Sequence, residues 1–365
     1  MEARVAIDWS LLPDGGVRWL DASGPHNDIV ISTRMRLARN VSGYAFTARA
    51  RDGERLRMLA QVRDALPSVP SLRENLLIRL EGLGPLDRQL LHERHLVSKE
   101  LAGLDAQHPV RTGAAVILGE SVGVMVNEED HLRLQALRSG FAVPEAFAAV
   151  QRLDQELGAQ VPYAFHREFG FLTACPTNAG TGLRASVLIH LPGLVLTKEI
   201  GKVLAGLQQM GLTYRGLYGE GSDVVGNFFQ LSNQTTLGRS EEELQDLLVR
   251  VVRHVIEREE EARRVLIRDA GYIIEDKLWR AFGTLRYARS LTFDEAMNYL
   301  SGVRLAVGLK LITGLSVYTL NKLLIFAQGA HLAQGDGRPL NEGETNLARA
   351  RFVREVLQHE GGGVG

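Results

Sequence analysis

The chain has 365 residues, 45% apolar and 23% charged, the proportions of an ordinary globular protein with room for two domains. Its 42 basic and 43 acidic side chains leave a formal charge of −1, which argues against bulk electrostatic binding to nucleic acid or to a membrane surface. The single cysteine, Cys175, excludes an internal disulfide framework and a cysteine-based zinc site, and it fits a reducing cytoplasm.

The first residues, with Glu2, Arg4 and Asp8 and no apolar run, are expected to carry no signal peptide. Residues 1–40 read as irregular and then extended. Helical periodicity follows over Glu54–Leu66 and Leu86–Leu101. Ala114–Leu118 and Val122–Asn127, joined by Gly-Glu-Ser, predict a hairpin. Helices are expected over Glu129–Leu137, Pro144–Leu157 and Lys198–Met210, and strands over Phe169–Ala174, Leu183–Leu191, Leu212–Tyr218 and Asn227–Leu231. Ser240 through Glu243 forms a capping box that opens a long charged helix to about Arg268, and Thr292 through Glu295 forms a second. A loop at Gly335–Pro339 precedes the last helix. Leu305–Ala327, interrupted by Lys310, Asn321 and Lys322, reads as packed helices and not as a membrane span. The expectation is an α+β protein: an antiparallel sheet flanked by helices over residues 1–255, then an all-helical domain over 256–365.

The phosphate-binding loop, the protein-kinase motifs and a dinucleotide fingerprint are all missing from the sequence. Arginines recur instead beside strands and glycine turns. Arg34 and Arg36 share one side of an extended segment, Arg133 opens a helix after an acidic turn, Arg184 follows Gly180 and Gly182, and Arg215 ends a strand. Guanidinium forks bind phosphate bidentately and keep their charge, so several converging would neutralise a polyphosphate. Two carboxylate turns, Asn127-Glu128-Glu129-Asp130 and Gly219-Glu220-Gly221, could align a cationic acceptor and take its proton. Cys175 begins a proline- and glycine-containing loop in which the glycines allow backbone N–H groups to approach an anion.

Four of these segments, in this order, resemble the phosphagen (guanidino) kinases: Ser32-Thr33-Arg34-Met35-Arg36, Asn127 through Arg133, Cys175 through Arg184, and Arg215-Gly216-Leu217-Tyr218-Gly219-Glu220. The likeness spans roughly residues 25–240. It implies ATP and Mg²⁺ as cofactors, with no metal ligands assigned to the protein itself. By the same resemblance Ser32 to Arg36, His95, Arg133, Arg184-Ala185-Ser186-Val187-Leu188 and the run Arg215 to Glu220 hold the nucleotide. Glu129 and Glu220 would grip the acceptor guanidinium, with Cys175 the reactive cysteine beside it.

Small-metabolite members of that family carry a helical domain of about a hundred residues ahead of the first arginine pair. Here Arg34 comes early, and the extra helical sequence follows the catalytic region. This layout is similar to the bacterial protein-arginine kinases, whose acceptor is an arginine side chain on a protein. The resemblance implies protein substrates with exposed arginines, a homodimer, a zinc-binding activator protein, an ATP-dependent protease downstream in stress-response degradation, and a cytoplasmic location. A kinase of free arginine or another small guanidine is the alternative. One departure stands out. The family's phosphoarginine-docking motif, Arg-Asp-x-x-Arg-Ala, corresponds to Thr345-Asn346-Leu347-Ala348-Arg349-Ala350, and losing the leading pair is expected to weaken that docking.

Overall fold

Alternation along Val30–Arg39 (β1) sets up the molecule. Thr33, Met35 and Leu37 face one side and Ser32, Arg34 and Arg36 the other, as a pleated strand requires. The computed structural model describes residues 7–11, 13–105, 107–217 and 224–360. The helices and strands that follow β1 are Asp52–Ala65 (α1), Leu76–Arg79 (β2), Pro85–Glu93 (α2), Ala115–Leu118 (β3), Val122–Val126 (β4), Leu132–Ser139 (β5) and Val143–Gly158 (α3). Next come Phe165–His166 (β6), Gly170–Phe171 (β7), Leu183–His190 (β8), Pro192–Leu196 (α4), Ile200–Gln209 (α5), Leu212–Arg215 (β9) and Phe228–Asn233 (β10). The chain then turns helical: Glu241–Tyr287 (α6), Phe293–Gly308 (α7), Val317–Phe326 (α8), Gly329–Asp336 (α9) and Glu342–Glu360 (α10).

Eight strands form one antiparallel sheet in the order β2-β3-β4-β5-β1-β8-β10-β9, and β6 and β7 make a separate short hairpin. The fold is α+β, as expected. One sheet face is covered by α1, α3, α4, α5 and the first half of α6, through residues such as Met35, Leu37, Leu134, Val150, Val187 and Leu248. The opposite face is covered only at its two ends. Near β2–β4 it packs against α2 and residues 96–104. At the other end Leu188 and Phe228 join Trp19, Leu20 and the C-terminal helices in one apolar cluster. Between these two covers the central strands face an open cleft.

Both predicted capping boxes form. Ser240 Oγ accepts from the Glu243 N–H at 3.2 Å while the Glu243 carboxylate accepts from the Ser240 N–H at 2.8 Å, and Thr292 and Glu295 repeat the pattern. α6 continues past Arg268 to Tyr287, with a break in helical geometry at Ala270 (φ −143°, ψ 26°). No described helix is long and apolar enough to cross a membrane.

Three local expectations are corrected. The helix predicted over Glu129–Leu137 is instead a turn followed by β5. Leu132, Leu134 and Ala136 are inward at period two, and pairing with β1 and β4 overrides the helix-forming residue types. α2 stops at Glu93, because His95 adopts a left-handed backbone (φ 59°) that ends the helix. The strand expected at Phe169–Ala174 shrinks to Gly170–Phe171.

Candidate active site

Sheet register gathers the arginines. Arg36 lies directly across from Arg184 on β8 and from Gln135 on β5, while Arg133 opposes Ala38 and Arg215 opposes Gln230. All these positions share the parity of Arg34 and Arg36, so every arginine named from the sequence projects from the same face. A cleft of about 870 Å³ opens there, lined by Arg34, Arg36, Arg133, Arg184 and Arg215 together with His95, Glu128, Glu129 and Cys175. Tyr218, Gly219 and Glu220 lie outside the described residues.

The central guanidiniums stand in a cationic field. Burial, and then the charge of Arg133, lowers Arg34 to about 10 despite the nearby Glu128 carboxylate. Burial, followed by Arg34, Arg133 and Arg184, holds Arg36 well below its ordinary value. Like charges directly across strands destabilise a sheet, so the Arg36–Arg184 pair favours binding of an anion. Arg34 donates to Gln135 Oε1 at 2.7 Å and Arg184 to Ser232 Oγ at 3.4 Å, contacts that orient the forks into the cleft. His95 stands edge-on to Trp19 with ring centroids 5.3 Å apart. Burial, then Arg34, keeps it well below the usual histidine range and therefore neutral.

The acidic turn between β4 and β5 splits its carboxylates between two environments. Glu128, with 1% of its side chain exposed, bonds Arg133 Nη1 at 2.5 Å. Burial would raise it, but Arg133, the Glu129 N–H, Ser98 and Arg36 together hold it below its ordinary value. Glu129 is 47% exposed, lies 3.4 Å from Arg133 Nη2, and is raised by burial against the pull of Arg133. Sequence reasoning singled out Glu129 and treated Glu128 only as its neighbour, yet Glu128 is the carboxylate that holds Arg133. Asp130, buried, bonds the Asn40 amide at 2.7 Å and the Ala174 N–H at 2.6 Å, tying this turn to the cysteine loop.

Cys175 is half-buried, with Sγ 3.0 Å from Thr177 Oγ1. Gly180 (φ 98°) and Gly182 (φ 64°) do require glycine, since a Cβ would meet the Thr236 carbonyl at 2.9 Å and the Ala38 carbonyl at 2.7 Å respectively. Sequence reasoning missed Arg39, which braces this loop. It is fully buried, grips Asp154 with two hydrogen bonds of 3.0 and 2.8 Å, donates to the Thr181 carbonyl at 2.8 Å and lies 3.6 Å over the Phe171 ring. Arg111 is another omission. It lines the cleft and donates to the Glu128 carbonyl.

Several motif positions point elsewhere. Thr33 bonds the Gly140 carbonyl and the Ala142 N–H, and Met35, Ala185 and Val187 belong to the core behind the sheet. Leu188 and Leu217 join the apolar cluster at the far end, and Ser32 and Ser186 are buried on the cleft face. In the C-terminal motif Arg349 is buried. Its guanidinium is engaged by the carbonyls of Ala327 and Leu291, both at 2.8 Å, and by Asn346 Oδ1 at 2.7 Å. Ala350 is fully buried, and Thr345 bonds the Asn341 carbonyl.

Family comparison adds two matches, the C-terminal catalytic domain of ATP:guanido phosphotransferases over residues 57–262 and the protein-arginine kinase McsB C-terminal domain over residues 272–362. The chain is 44% identical over 344 residues to a protein-arginine kinase of Desulforamulus reducens, covering 93% of this chain and 95% of that one. It is 42% identical over 346 residues to the protein-arginine kinase of Bacillus cereus, covering 94% and 96%. Among solved structures, the duplicated taurocyamine kinase of Schistosoma mansoni superposes with a TM-score of 0.59 at 26% identity, over 71% of this chain and 36% of that one. A lombricine kinase shares the fold with a TM-score of 0.55 at 23% identity, over 71% of each chain.

Proposed function

The chain belongs to the protein-arginine kinase branch of the ATP:guanido phosphotransferase family, and from that premise we propose how its cleft transfers the γ-phosphoryl of ATP to an arginine side chain. The observation that carries the reading is the convergence of Arg34, Arg36, Arg133, Arg184 and Arg215 on one sheet face, with Arg36 and Arg184 directly opposed. These five take the phosphates of ATP, and their forks offset the charge spread over the transferred group. His95, neutral, lies beside the nucleotide against Trp19.

The acceptor guanidinium lies at the Glu129–Cys175 end of the cleft. Its lone pairs are delocalised, so it must be aligned and deprotonated as it reacts. The acceptor nitrogen attacks the γ-phosphorus, the bond from phosphorus to the β,γ-bridging oxygen breaks, and the nitrogen's proton passes to Glu129. The raised proton affinity of Glu129 suits that task, whereas Glu128 stays ionised to hold Arg133. Glu220, outside the described residues, is assigned by its motif to the other side of the guanidinium. Cys175 packs beside the acceptor and takes no phosphoryl group.

Mg²⁺ bound with ATP would supply charge neutralisation between the β- and γ-phosphates.

The same reading takes arginines exposed on proteins as substrates and a homodimer as the assembly. Solvent-facing Tyr272, Ile273 and Tyr287 on α6 support the dimer. A cytoplasmic setting, a zinc-binding activator and an ATP-dependent protease that receives the phosphorylated proteins follow from family resemblance. Incubation with ATP and Mg²⁺ plus an unfolded protein or free arginine tests the core of the proposal. Acid-labile phosphate is expected on the protein, and its appearance on free arginine alone would overturn the acceptor assignment.

A further inference from the structure

Helix α9 of the C-terminal region is fastened to the end of α2, two residues before His95. The Glu93 carboxylate accepts from the backbone N–H groups of Ala330 and His331 at 3.1 and 3.3 Å, and it lies 2.8 Å from His331 Nδ1. On the other side of the imidazole, Arg94 Nε donates to His331 Nε2 at 3.1 Å. Arginine has no acceptor, so Nε2 must present its lone pair and Nδ1 must carry the proton donated to Glu93. His331 is therefore neutral and fixed in one tautomer, with all of Glu93, Arg94 and His331 buried.

Arg94 is clamped in turn. It donates to the Gly15 carbonyl at 2.6 Å, and its guanidinium lies 3.7 Å over the Trp9 ring. The next residue, His95, adopts a left-handed backbone at φ 59°, a conformation that a non-glycine residue holds only when its surroundings impose it. Behind α9, Arg349 on α10 braces the preceding turn by donating to the Ala327 carbonyl.

We infer that His331, through Glu93 and Arg94, is a positioning residue that holds His95 in the nucleotide cleft, so that the C-terminal region takes part in forming the ATP site. The inference rests on the proposed placement of His95 beside the nucleotide. His331 itself touches no substrate. Its removal frees the end of α2, and the strained turn at residue 95 relaxes away from the cleft. Nucleotide affinity falls, while the carboxylates and Cys175 at the acceptor end stay in place.

The full-length enzyme is tested by titration with a fluorescent ATP analogue and by steady-state kinetics with ATP varied against a saturating protein substrate. His331→Ala is expected to weaken nucleotide binding and raise KM for ATP about tenfold, with kcat within about twofold of the parent. His331→Asn, whose side-chain N–H can replace Nδ1–H toward Glu93, is expected to recover most of that loss. Glu93→Gln is the second probe, should His331→Ala prove insoluble, and is expected to follow it. Unchanged nucleotide affinity in His331→Ala or Glu93→Gln overturns the inference, as does an equal loss in the Ala and Asn variants, which would make residue 331 mere packing. His95→Ala separates this outcome from failure of the underlying reading. If that variant binds nucleotide normally, the placement of His95 is wrong whatever His331 does.

Discussion

The Asp130 carboxylate accepts a 2.6 Å hydrogen bond from the backbone N–H of Ala174, so the turn bearing Glu129 and the loop bearing Cys175 share one buried anchor. The same oxygen bonds the Asn40 amide, whose own oxygen accepts from the His131 N–H at 2.9 Å. Two chain segments distant in sequence are thereby fixed on both sides of the proposed acceptor end. Asp130→Ala should release them and lower kcat by about 10²-fold, because small misplacements of reacting groups are that costly. Asp130→Asn keeps an acceptor oxygen and should lose far less. Nucleotide affinity should change little in either, and equal kinetic losses in the two variants would contradict the anchor.

Glu129→Ala and Glu220→Ala should each reduce phosphoryl transfer on the order of 10²–10⁴-fold, the usual contribution of a positioned proton acceptor. In the proposed mechanism both carboxylates face the acceptor guanidinium and not the phosphates of ATP, so nucleotide binding should persist. Single-turnover measurements with prebound ATP check this, and near-normal rates in either variant would remove that residue from the mechanism.

The cross-strand pair of Arg36 and Arg184 predicts a conflict between stability and function. Replacing Arg36 by Met removes a like-charge contact and should stabilise the ligand-free protein by roughly 0.2–1 kcal/mol. ATP at a hundredfold excess over the parent's Kd should stabilise the parent by about 2.7 kcal/mol and the Arg36→Met variant, with four of the five arginines left, by clearly less. Arg36→Lys should also bind ATP poorly, since a point charge cannot reproduce the bidentate fork. Thermal melts with and without nucleotide read all three effects, and an ATP-dependent shift in Arg36→Met as large as the parent's would exclude Arg36 from the phosphate site.

Arg34, Arg36, Arg184 and Arg215 were legible in the sequence because strand parity and glycine turns are local signals, whereas Arg133, expected to open a helix, lies on β5. Arg34 and Arg36 obey period two, and Gly180 and Gly182 take the dihedrals that their positions demand. Their convergence was not legible, because it depends on the register of β1 against β5 and β8. That register is set by pairing between residues about a hundred or more positions apart, such as Arg36 with Gln135 and with Arg184. The same long-range pairing explains the misread segment at Leu132–Ser139, whose Leu, Arg and Gln content suits a helix until two neighbouring strands claim it. The roles of Arg39, which the sequence does not single out, and of Asp130, named there only as part of the acidic turn, were hidden for a related reason. Buried charges look like surface charges until their partners, Asp154 and Ala174, are brought alongside.

Cys175 borders the cleft, half-buried and in contact with Thr177. Thiol-directed reagents should inactivate the enzyme, and bound ATP with acceptor should slow the reaction by covering the loop. Direct in-line transfer needs no covalent intermediate, so rapid quench should trap no phosphocysteine. Activity that survives full modification of Cys175 would reduce it to a packing residue.

Acid sensitivity should trace to buried neutral histidines, and His190 is the clearest case. It is fully buried, stacked on Phe228 at 4.7 Å and bonded through Nε2 to Ser301 Oγ at 2.8 Å. Burial, then Arg304 and Arg263, holds it well below the ordinary histidine range. The unfolded chain takes up a proton at His190 as pH falls below about 6.5 while the native state does not, so acid favours unfolding. Stability is therefore whole above that pH and declines below it, by up to about 1.4 kcal/mol per pH unit for this one group. His92, His95, His131 and His331, all lowered first by burial, should add to the slope. His190→Gln keeps a side-chain N–H near Ser301 without a titrating group. Denaturant unfolding from pH 7 to pH 5 should give a shallower decline in that variant, and identical slopes in variant and parent would place the acid sensitivity elsewhere.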